Sequence, residues 1–283
     1  MKKLITIVAA IAIAVCTNAQ TIETHTIHSD ILGTDQNYNV YLPKGYDAGR
    51  HYPLIFLLHG LSDDYTAWKN RGHMDWVANE LIASGECKPC VIVMPNAGNA
   101  DIHAYHCGYF NVPGWAYEDF FFKEFIPEVE AKFNCGGSKG QRALMGLSMG
   151  GGGSVVYAQR HPELFSSCFS MSGWLDNEAD EVKKARIPEG SHFPATAKSV
   201  RDHSAIKYVL NASDETLDAL RSVKWFVDCG DDDFILYLSL DFYRAMRDRG
   251  VPAQLRIRDG AHNWEFWHLS LRAALPFASR NFE

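Results

Sequence analysis

The amino-acid sequence predicts an α/β fold in which a mostly parallel central sheet is flanked by helices. Short apolar or β-branched runs alternate with helix-like amphipathic stretches over most of the chain, and this alternation produces parallel strands joined by helical crossovers. Several strand-like runs are apolar at every position, as is typical of strands covered on both faces. The sequence contains no internal repeat and no linker. Residues 20–283 are therefore predicted to form one domain, large enough to bury a sizeable core.

The strands are predicted from their side-chain patterns. Thr21–His28 and Tyr38–Leu42 have alternating side chains and are expected to pair as a hairpin. Pro53–Leu58 and Val91–Met94 are continuous apolar runs, so we expect them at the centre of the sheet. The later strands are predicted at Gln141–Met145, Ser167–Met171, Lys224–Asp228 and Gln254–Arg258.

Helices and two long loops separate these strands. Phe120–Phe133 has apolar residues at helical spacing, although Pro127 interrupts it, and Tyr237–Arg249 has the same pattern. Ala100–Tyr117 and Trp174–Asp214 follow no clear period, and loops of that length in a compact domain are usually functional. Both follow strand ends on the side where α/β sheets bind ligands. We expect these loop insertions to form the walls of a substrate cleft.

Residues 1–19 are interpreted as a signal peptide. A positive n-region precedes the apolar stretch Leu4–Val15, and Ala19 ends a plausible cleavage site. Cleavage there would release a secreted or periplasmic protein that begins at Gln20. Cys16 invites a lipoprotein interpretation, but the bulky Val15 before it disfavours that processing. No later segment of the sequence is apolar for long enough to cross a bilayer, so no membrane partner is expected.

The charge balance narrows the class of partner. The net charge of the whole chain is −7, and it becomes −9 without Lys2 and Lys3. An acidic protein is repelled by nucleic acid and by anionic membrane surfaces. Neutral ligands such as sugars or esters fit this balance better.

The cysteines give a weaker signal. Six of the seven lie beyond residue 19, and export permits disulfides without indicating how they pair. Cys168 and Cys229 lie in apolar strand-like runs and are expected to be buried free thiols. Cys87 and Cys90 form a single CxxC pair. Because there is no second pair and no thioredoxin-like context, a zinc or redox role is disfavoured and a local disulfide is expected.

The segment Gly146–Gly150, with the sequence Gly-Leu-Ser-Met-Gly, is the most informative one in the chain. An apolar strand precedes it and a helix-like stretch follows it, as in a nucleophile elbow. In that turn the serine adopts a strained conformation, and the flanking glycines remove Cβ clashes. Ser148 is therefore predicted to be a catalytic nucleophile. The alternative is a glycine-rich helix start with an incidental serine.

A base and an acid are needed to activate this serine. In α/β hydrolases the acid and then the histidine follow the serine along the chain. His262 lies after the last predicted strand and just before the final helix, so it is the predicted base. Three consecutive aspartates follow the strand near Asp228. Asp233 is favoured as the acid and Asp231 is the weaker rival.

Two backbone N–H groups are predicted to form the oxyanion hole. One belongs to Met149, which follows the nucleophile, and the other to Leu61, in the loop after the third strand. His59 at the start of that loop is expected to brace it by hydrogen bonding. No spacing of His or Cys resembles a metal site, and no metal or organic cofactor is expected.

Together these segments resemble the esterase D-like α/β hydrolases, including carbohydrate esterase family one with its feruloyl and acetylxylan esterases. The matching segments are Leu57–Ser62 with Trp68, Gly146–Gly151, Asp228–Phe234, and Gly260–Trp264 with Trp267. They span most of the chain in the order of the family. The resemblance implies an α/β-hydrolase fold with Ser148 as nucleophile, Asp233 as acid and His262 as base.

The resemblance also implies a serine esterase that acts by two-step acyl transfer on an ester-substituted polysaccharide. Four aromatic residues of the predicted cleft walls are candidates for contact with an aromatic acyl group or a sugar ring: Tyr105, Trp115, Tyr117 and Trp174. Feruloyl or cinnamoyl esters of plant polysaccharide are the first expectation, and acetylxylan or short-acyl esters the second. A non-catalytic carbohydrate-binding relative is the alternative of another class. A secreted peptidase is disfavoured, because the chain has no propeller-sized second domain.

Overall fold

The fold was obtained as a computed structural model, which describes residues 21–98, 108–177 and 193–283. The strands in these ranges are β1 Thr21–Ser29, β2 Thr34–Leu42, β3 Leu54–Leu58, β4 Val91–Pro95, β5 Asn111–Val112, β6 Trp115–Ala116, β7 Arg142–Leu147, β8 Ser167–Met171, β9 Lys224–Gly230 and β10 Ala253–Arg258. The α-helices are α1 Ala67–Asn70, α2 Met74–Ala83, α3 Tyr117–Phe120, α4 Ile126–Phe133, α5 Met149–Arg160, α6 Phe193–Asp202, α7 Ala205–Leu210, α8 Asp214–Arg221, α9 Leu236–Asp248 and α10 Trp264–Arg280.

One eight-stranded sheet organises these elements in the order β1-β2-β4-β3-β7-β8-β9-β10. β1 pairs with β2, and β2 with β4, in antiparallel register. The remaining neighbours, from β4 through β3 to β10, are parallel. The predicted fold class, a mostly parallel sheet flanked by helices, is confirmed, and so is the N-terminal hairpin.

Both faces of the sheet are covered, which explains the continuous apolar runs. Phe56 and Leu58 of β3 belong to one buried cluster and Ile55 and Leu57 to the other, because successive side chains point to opposite faces. The first cluster includes residues of α4, α5 and α9. The second includes residues of α2 and α10, which pack against each other over the sheet. The carboxyl ends of the central strands are left accessible for a site.

The helix predicted over Phe120–Phe133 contains a π-helical turn at Phe121–Phe125. Pro127 lies in the first turn of the α-helix that follows, α4. N–H groups in the first turn of a helix have no acceptor within the helix. Proline lacks this N–H, so no helical hydrogen bond is lost there. The change from π-helix to α-helix therefore accommodates Pro127, which interrupts the helical pattern of the sequence.

The two predicted loops are partly ordered elements. Trp174–Asp214 was expected to lack regular structure, but it contains α6 and α7. Each of these helices buries one apolar side chain larger than alanine, Val200 in α6 and Val209 in α7, so the stretch resembles a polar loop in the sequence. Within Ala100–Tyr117 the described part includes the two-residue strands β5 and β6. Among the described residues, no helix is long and apolar enough to span a bilayer.

The structure contradicts the disulfide expected between Cys87 and Cys90. Both are buried free thiols, as are Cys168 and Cys229, for which this was predicted. The Cys87 thiol faces the carbonyl of Leu275 at 3.8 Å. The segment that carries Cys87 and Cys90 packs against the C-terminal helix α10, and both thiols belong to the buried core cluster there. Cys16, Cys107 and the predicted signal peptide lie outside the described residues.

Candidate active site

The turn between β7 and α5 carries Ser148 in the conformation predicted for a nucleophile elbow. Its backbone angles are φ 51° and ψ −117°, a strained region for a residue with a side chain. Three hydrogen bonds of 2.9 to 3.0 Å hold the turn. Ser148 N–H donates to the carbonyl of Met171, and the Ser148 carbonyl accepts from Gly152 and Trp174. The strained serine is thus tied to β8 and to the first turn of α5.

Close backbone contacts explain both glycines of the motif. A Cβ atom on Gly150 would lie 2.5 Å from the carbonyl oxygen of His59 and 2.6 Å from the backbone of Leu58. A Cβ atom on Gly146 would collide with the carbonyl of Gly150. Real Cβ atoms are not found this close to backbone atoms, so only glycine fits at either position.

His262 bridges Ser148 and Asp233. Its Nε2 lies 2.9 Å from Ser148 Oγ, and its Nδ1 lies 2.9 and 3.0 Å from the two carboxylate oxygens of Asp233. The loop that carries His262 ends where Asn263 caps α10, accepting the N–H of Phe266 at 2.9 Å. The three side chains therefore form one continuous hydrogen-bonded chain with the order of a Ser-His-Asp triad.

The three consecutive aspartates have different environments. The Asp233 side chain is fully buried, whereas Asp231 and Asp232 are exposed. Asp231 accepts the N–H of Gly260 at 3.0 Å and so supports the loop that carries His262. Burial by itself would raise the pKa of Asp233, but hydrogen bonds from His262, the Ile235 N–H and a nearby serine outweigh it and lower that pKa. Asp233 is thus held as an anion facing the imidazole.

That nearby serine is Ser172, which sequence analysis did not identify. It follows β8 with a left-handed φ of 46°, and its N–H donates to the carbonyl of Asp228 at 2.7 Å. Its hydroxyl contributes to lowering the pKa of Asp233 and accepts the indole N–H of Trp267 at 3.1 Å. The only sequence signal was Ser172-Gly173 directly after a predicted strand, at the same sheet edge as the nucleophile.

The predicted oxyanion donors belong to two segments that meet at Ser148. Leu61 follows Gly60, whose Cβ position would be 3.6 Å from the Cβ of Ser148. Met149 is the first residue of α5, where backbone N–H groups have no intrahelical acceptor. Within the described ranges neither the Leu61 nor the Met149 N–H donates to a protein acceptor. Both groups are available to bind a developing negative charge.

His59 braces the loop that carries Leu61. It is buried, its Nδ1 lies 2.8 Å from the carbonyl of Gly60, and its Nε2 accepts the N–H of Ala97 at 3.0 Å. The Tyr109 hydroxyl donates to the carbonyl of His59 at 2.9 Å. These contacts fix the loop from both sides, which is the bracing that the sequence predicted.

Ser148 and His262 open into a cleft of about 770 Å³ with aromatic walls. The residues lining it are Gly60, Leu61, Ser62, Asp63, Arg71, Leu147, Ser148, Trp174, Asn177, Phe193, Phe234, Ile235, His262, Asn263, Trp264 and Trp267. Trp174 and Phe193 stack with ring centroids 5.7 Å apart. Elsewhere in the lining Arg71 pairs with Asp63 at 2.8 Å and lies over the Trp264 ring. The size and lining suit a flat, mainly apolar group.

Three of the four aromatic residues predicted to contact substrate are described by the structure, and of these three only Trp174 lines the cleft. Trp115 and Tyr117 belong to the buried core. The Tyr117 hydroxyl donates to the carbonyl of Asn96 at 2.5 Å, and its ring packs on Tyr109. These aromatic side chains fill the space under the cleft wall instead of facing the ligand. Tyr105 lies outside the described residues.

Phe193, Phe234 and Trp264 line the cleft but were not predicted to contact substrate. Phe234 and Trp264 directly follow the predicted acid and base segments, so proximity along the chain was a usable signal. No signal in the sequence pointed to Phe193, because it lies in the stretch that was expected to be a polar loop. Exposed Asp231, Asp232 and Asp259 approach within 4.8 Å of one another beside the cleft, and no further contact marks them as a metal site.

The sheet, the elbow and the position of the histidine loop define the α/β-hydrolase class. The chain belongs to the Esterase family, whose model matches residues 29–278.

Relatives with known names agree with this membership. A solved ferulic acid esterase is 43% identical, with a TM-score of 0.87 over 93% of this chain and 99% of that one. An endo-1,4-beta-xylanase/feruloyl esterase of Xylanibacter ruminicola is 27% identical over 260 residues, which are 90% of this chain but 31% of that protein. This chain thus spans about a third of that relative. A ferulic acid esterase of Anaeromyces mucronatus, 17% identical, has the same fold with a TM-score of 0.71 over 97% of this chain and 95% of that one.

Proposed function

We propose that the protein is a serine carboxylic-ester hydrolase that releases hydroxycinnamic acids, such as ferulic acid, from plant polysaccharide. The observation that carries this proposal is the hydrogen-bonded chain Ser148–His262–Asp233 at an aromatic cleft. It occurs in a chain that is 43% identical to a ferulic acid esterase. A purely carbohydrate-binding role would leave the hydrogen bonds among Ser148, His262 and Asp233 unexplained.

In the first half of the reaction Ser148 Oγ attacks the ester carbonyl carbon while His262 Nε2 accepts its proton. The Asp233 carboxylate stabilises the imidazolium that forms and keeps Nδ1 as the protonated nitrogen. The carbonyl oxygen becomes an oxyanion held by the N–H groups of Leu61 and Met149. His262 then protonates the sugar oxygen, the C–O bond breaks, and the alcohol leaves the acyl-enzyme.

In the second half a water molecule takes the place of the alcohol. His262 removes a proton from the water as its oxygen attacks the acyl carbon, and the same oxyanion donors stabilise the intermediate. The bond to Ser148 breaks, and His262 returns the proton to the serine oxygen. The carboxylic acid is released and the enzyme is regenerated without any change of oxidation state.

The cleft wall supports an aromatic acyl group. The stacked rings of Trp174 and Phe193 contribute apolar aromatic surface to the lining, and Trp264 contributes a further ring. Aromatic groups pack on such rings in offset or edge-on geometry. A small acetyl group would leave most of a cleft of about 770 Å³ unfilled. Acetylxylan is therefore the second candidate.

A polysaccharide does not cross a cell membrane, so this function requires an exported enzyme. We infer that residues 1–19 direct export and that residues 20–283 form the mature esterase domain. The net charge of −7 supports a neutral sugar polymer as the partner and disfavours nucleic acid.

Hydrolysis of methyl ferulate by the mature protein tests the proposal. We expect ferulate release by the wild type and a loss of about 10⁶-fold in kcat for Ser148→Ala. An active-serine phosphonate should label the wild type but not Ser148→Ala. Turnover of acetylated xylan with no release of ferulate would transfer the assignment to an acetyl esterase. Failure of the phosphonate to label Ser148 would leave only a binding role.

A further inference from the structure

An exposed aromatic pair extends beyond the cleft. The indole of Trp76, near the start of α2, is 67% exposed. The imidazole of His73 stacks on it with ring centroids 5.0 Å apart and an angle of 20° between the planes. We call these two side chains the Trp76–His73 platform. Because the two rings stack on each other, the pair presents its outer ring faces and edges to solvent.

The platform is continuous with the cleft wall. Arg71 and Trp264 line the cleft, and a Cβ on Gly72 would lie 2.9 Å from the Trp264 ring. The carbonyl of Gly72 accepts a hydrogen bond from His268 at 2.7 Å. His73 follows directly, with its Cα about 3.8 Å from that of Gly72. The platform therefore follows directly along the chain from the part of the cleft wall that Arg71 and Trp264 form.

The backbone of His73 is held in a conformation that favours the stacking. Its φ of 46° and ψ of 40° are left-handed, which is uncommon for a residue other than glycine. His73 occupies the N-cap position of α2, yet its side chain makes no capping hydrogen bond. Residues that normally cap here bond the helix N–H groups. The ring of His73 stacks on Trp76 instead.

We propose that the Trp76–His73 platform binds the carbohydrate chain to which the ester is attached, by stacking on a neutral sugar ring outside the cleft. This inference rests on the proposed function, since it takes the alcohol part of the ester to be a polysaccharide. The C–H face of a sugar ring packs on an aromatic face while its hydroxyl groups stay hydrated. The enzyme would thereby hold the polymer while the ester enters the cleft.

The size of the platform favours a sugar over a protein partner. A stable protein interface covers about 800 Å² on each partner, whereas a large aromatic side chain offers about 150–250 Å². Most of the other large exposed apolar side chains of the described residues lie on other elements: Tyr208, Leu210, Phe234, Tyr237 and Ile257. Only Leu269, next to His268, adds to this region. The area therefore matches one or two sugar rings.

A binding experiment tests the platform without catalysis. Isothermal titration of unesterified arabinoxylan oligosaccharide is performed with Ser148→Ala and with Ser148→Ala/Trp76→Ala. We expect the Kd to rise about fivefold when Trp76 is removed and to change by less than twofold for Trp76→Phe, which keeps an aromatic face. An equal Kd for Ser148→Ala and Ser148→Ala/Trp76→Ala would overturn the proposal.

Leu210→Ala is the matched control. Leu210 is 47% exposed, and its carbonyl contacts Arg249, at the end of α9 remote from Phe234. A helix of 13 residues is about 20 Å long, so this surface is far from the cleft. Its removal should leave the Kd unchanged. If Leu210→Ala weakens binding as much as Trp76→Ala, the oligosaccharide is binding without preference for the platform, and the proposal fails.

Kinetics separate this inference from the proposed function. Trp76→Ala should lower the ratio of kcat/KM for feruloylated arabinoxylan to that for methyl ferulate about fivefold, mainly through KM. An unchanged ratio would overturn the platform while leaving the esterase assignment intact. Absence of ferulate release by the wild type would overturn the esterase assignment, and the titration would still decide the platform. A change of oligomeric mass on Trp76→Ala, measured by light scattering, would show a protein interface instead.

Discussion

Trp267 donates its indole N–H to the hydroxyl of Ser172 at 3.1 Å, and that hydroxyl contributes to the lowered pKa of Asp233. The contact links α10, whose first residues follow His262, to the carboxylate that faces His262. Trp267 also packs edge-on against the His262 ring, with centroids 4.9 Å apart. One side chain therefore orients both the base and, through Ser172, the acid.

Removing the Ser172 hydroxyl should weaken this support. We expect Ser172→Ala to lower kcat/KM about fivefold, because one hydrogen bond is worth about 1 kcal/mol. Ser172→Gly removes the same hydroxyl but also relieves the left-handed backbone at φ 46°. It should lose activity as Ser172→Ala does without losing thermal stability. Full activity in both variants would remove Ser172 from the catalytic apparatus.

Substitution of the aspartates distinguishes the acid from its neighbour. Asp233→Asn should lower kcat by about 10⁴-fold, because the amide cannot stabilise the imidazolium or select its tautomer. Asp231→Asn should lose less than about tenfold, since its carboxylate only supports the Gly260 N–H. Steady-state hydrolysis of methyl ferulate measures both. The reverse order of effects would make Asp231 the triad acid.

The lowered pKa of Asp233 predicts a pH dependence of stability. Burial raises the pKa of Asp233, but His262, the Ile235 N–H and Ser172 together outweigh that effect, so the folded pKa lies below the unfolded one. Ionised Asp233 therefore stabilises the fold fully above its unfolded pKa of about 3.9, and this contribution is lost as the pH falls through the lower, folded value. Urea unfolding between pH 5 and 2 should show a smaller loss for Asp233→Asn than for the wild type. An equal loss of stability in the wild type and in Asp233→Asn would contradict the lowered pKa of Asp233.

The elbow glycines predict a steric effect on folding. Gly150→Ala would place a Cβ 2.5 Å from the His59 carbonyl, and the backbone there has no room to move. We expect the free energy of unfolding to fall by about 3 kcal/mol or more. Gly49→Ala is the control, because its nearest neighbour is the exposed Asp47 side chain at 3.3 Å. Its effect should stay within about 0.5 kcal/mol in a chemical denaturation series.

If residues 1–19 are removed on export, the mature protein has a defined N-terminal residue. Intact-mass measurement of the protein recovered from the medium or periplasm should give a chain that begins at Gln20. A mass that includes acyl chains on Cys16 would show lipoprotein processing instead. Retention of residues 1–19 in active protein would contradict the predicted cleavage.

The regular elements around the site could be predicted because their signals are local. β8 matches its predicted bounds, and the hairpin of β1 and β2 follows from alternating side chains. The elbow at Ser148 could be recognised because glycine spacing and a strand-to-helix change are written in consecutive residues. The helices α6 and α7 could not, since they lie in a polar stretch and each buries a single apolar side chain larger than alanine, Val200 and Val209.

The substrate wall was harder to predict than the triad. Trp115, Tyr117 and Trp174 were equivalent in the sequence, as aromatic residues in long irregular stretches. Only Trp174 lines the cleft, because the Ser148 carbonyl accepts its N–H at 2.9 Å and fixes its backbone beside the elbow. Trp115 and Tyr117 are instead drawn into the core by burial of their rings.

The sequence by itself determined the α/β architecture, the strained turn at Ser148 and the order of the segments that carry Asp233 and His262. These follow from short-range patterns, since periodicity and glycine placement constrain the backbone locally. Only the tertiary structure decided which of three aspartates faces the histidine, which thiols stay unpaired and which tryptophans are left to solvent. Those outcomes depend on distances between residues far apart in the chain, such as Ser172 and Trp267. Packing sets those distances, and no single segment contains them.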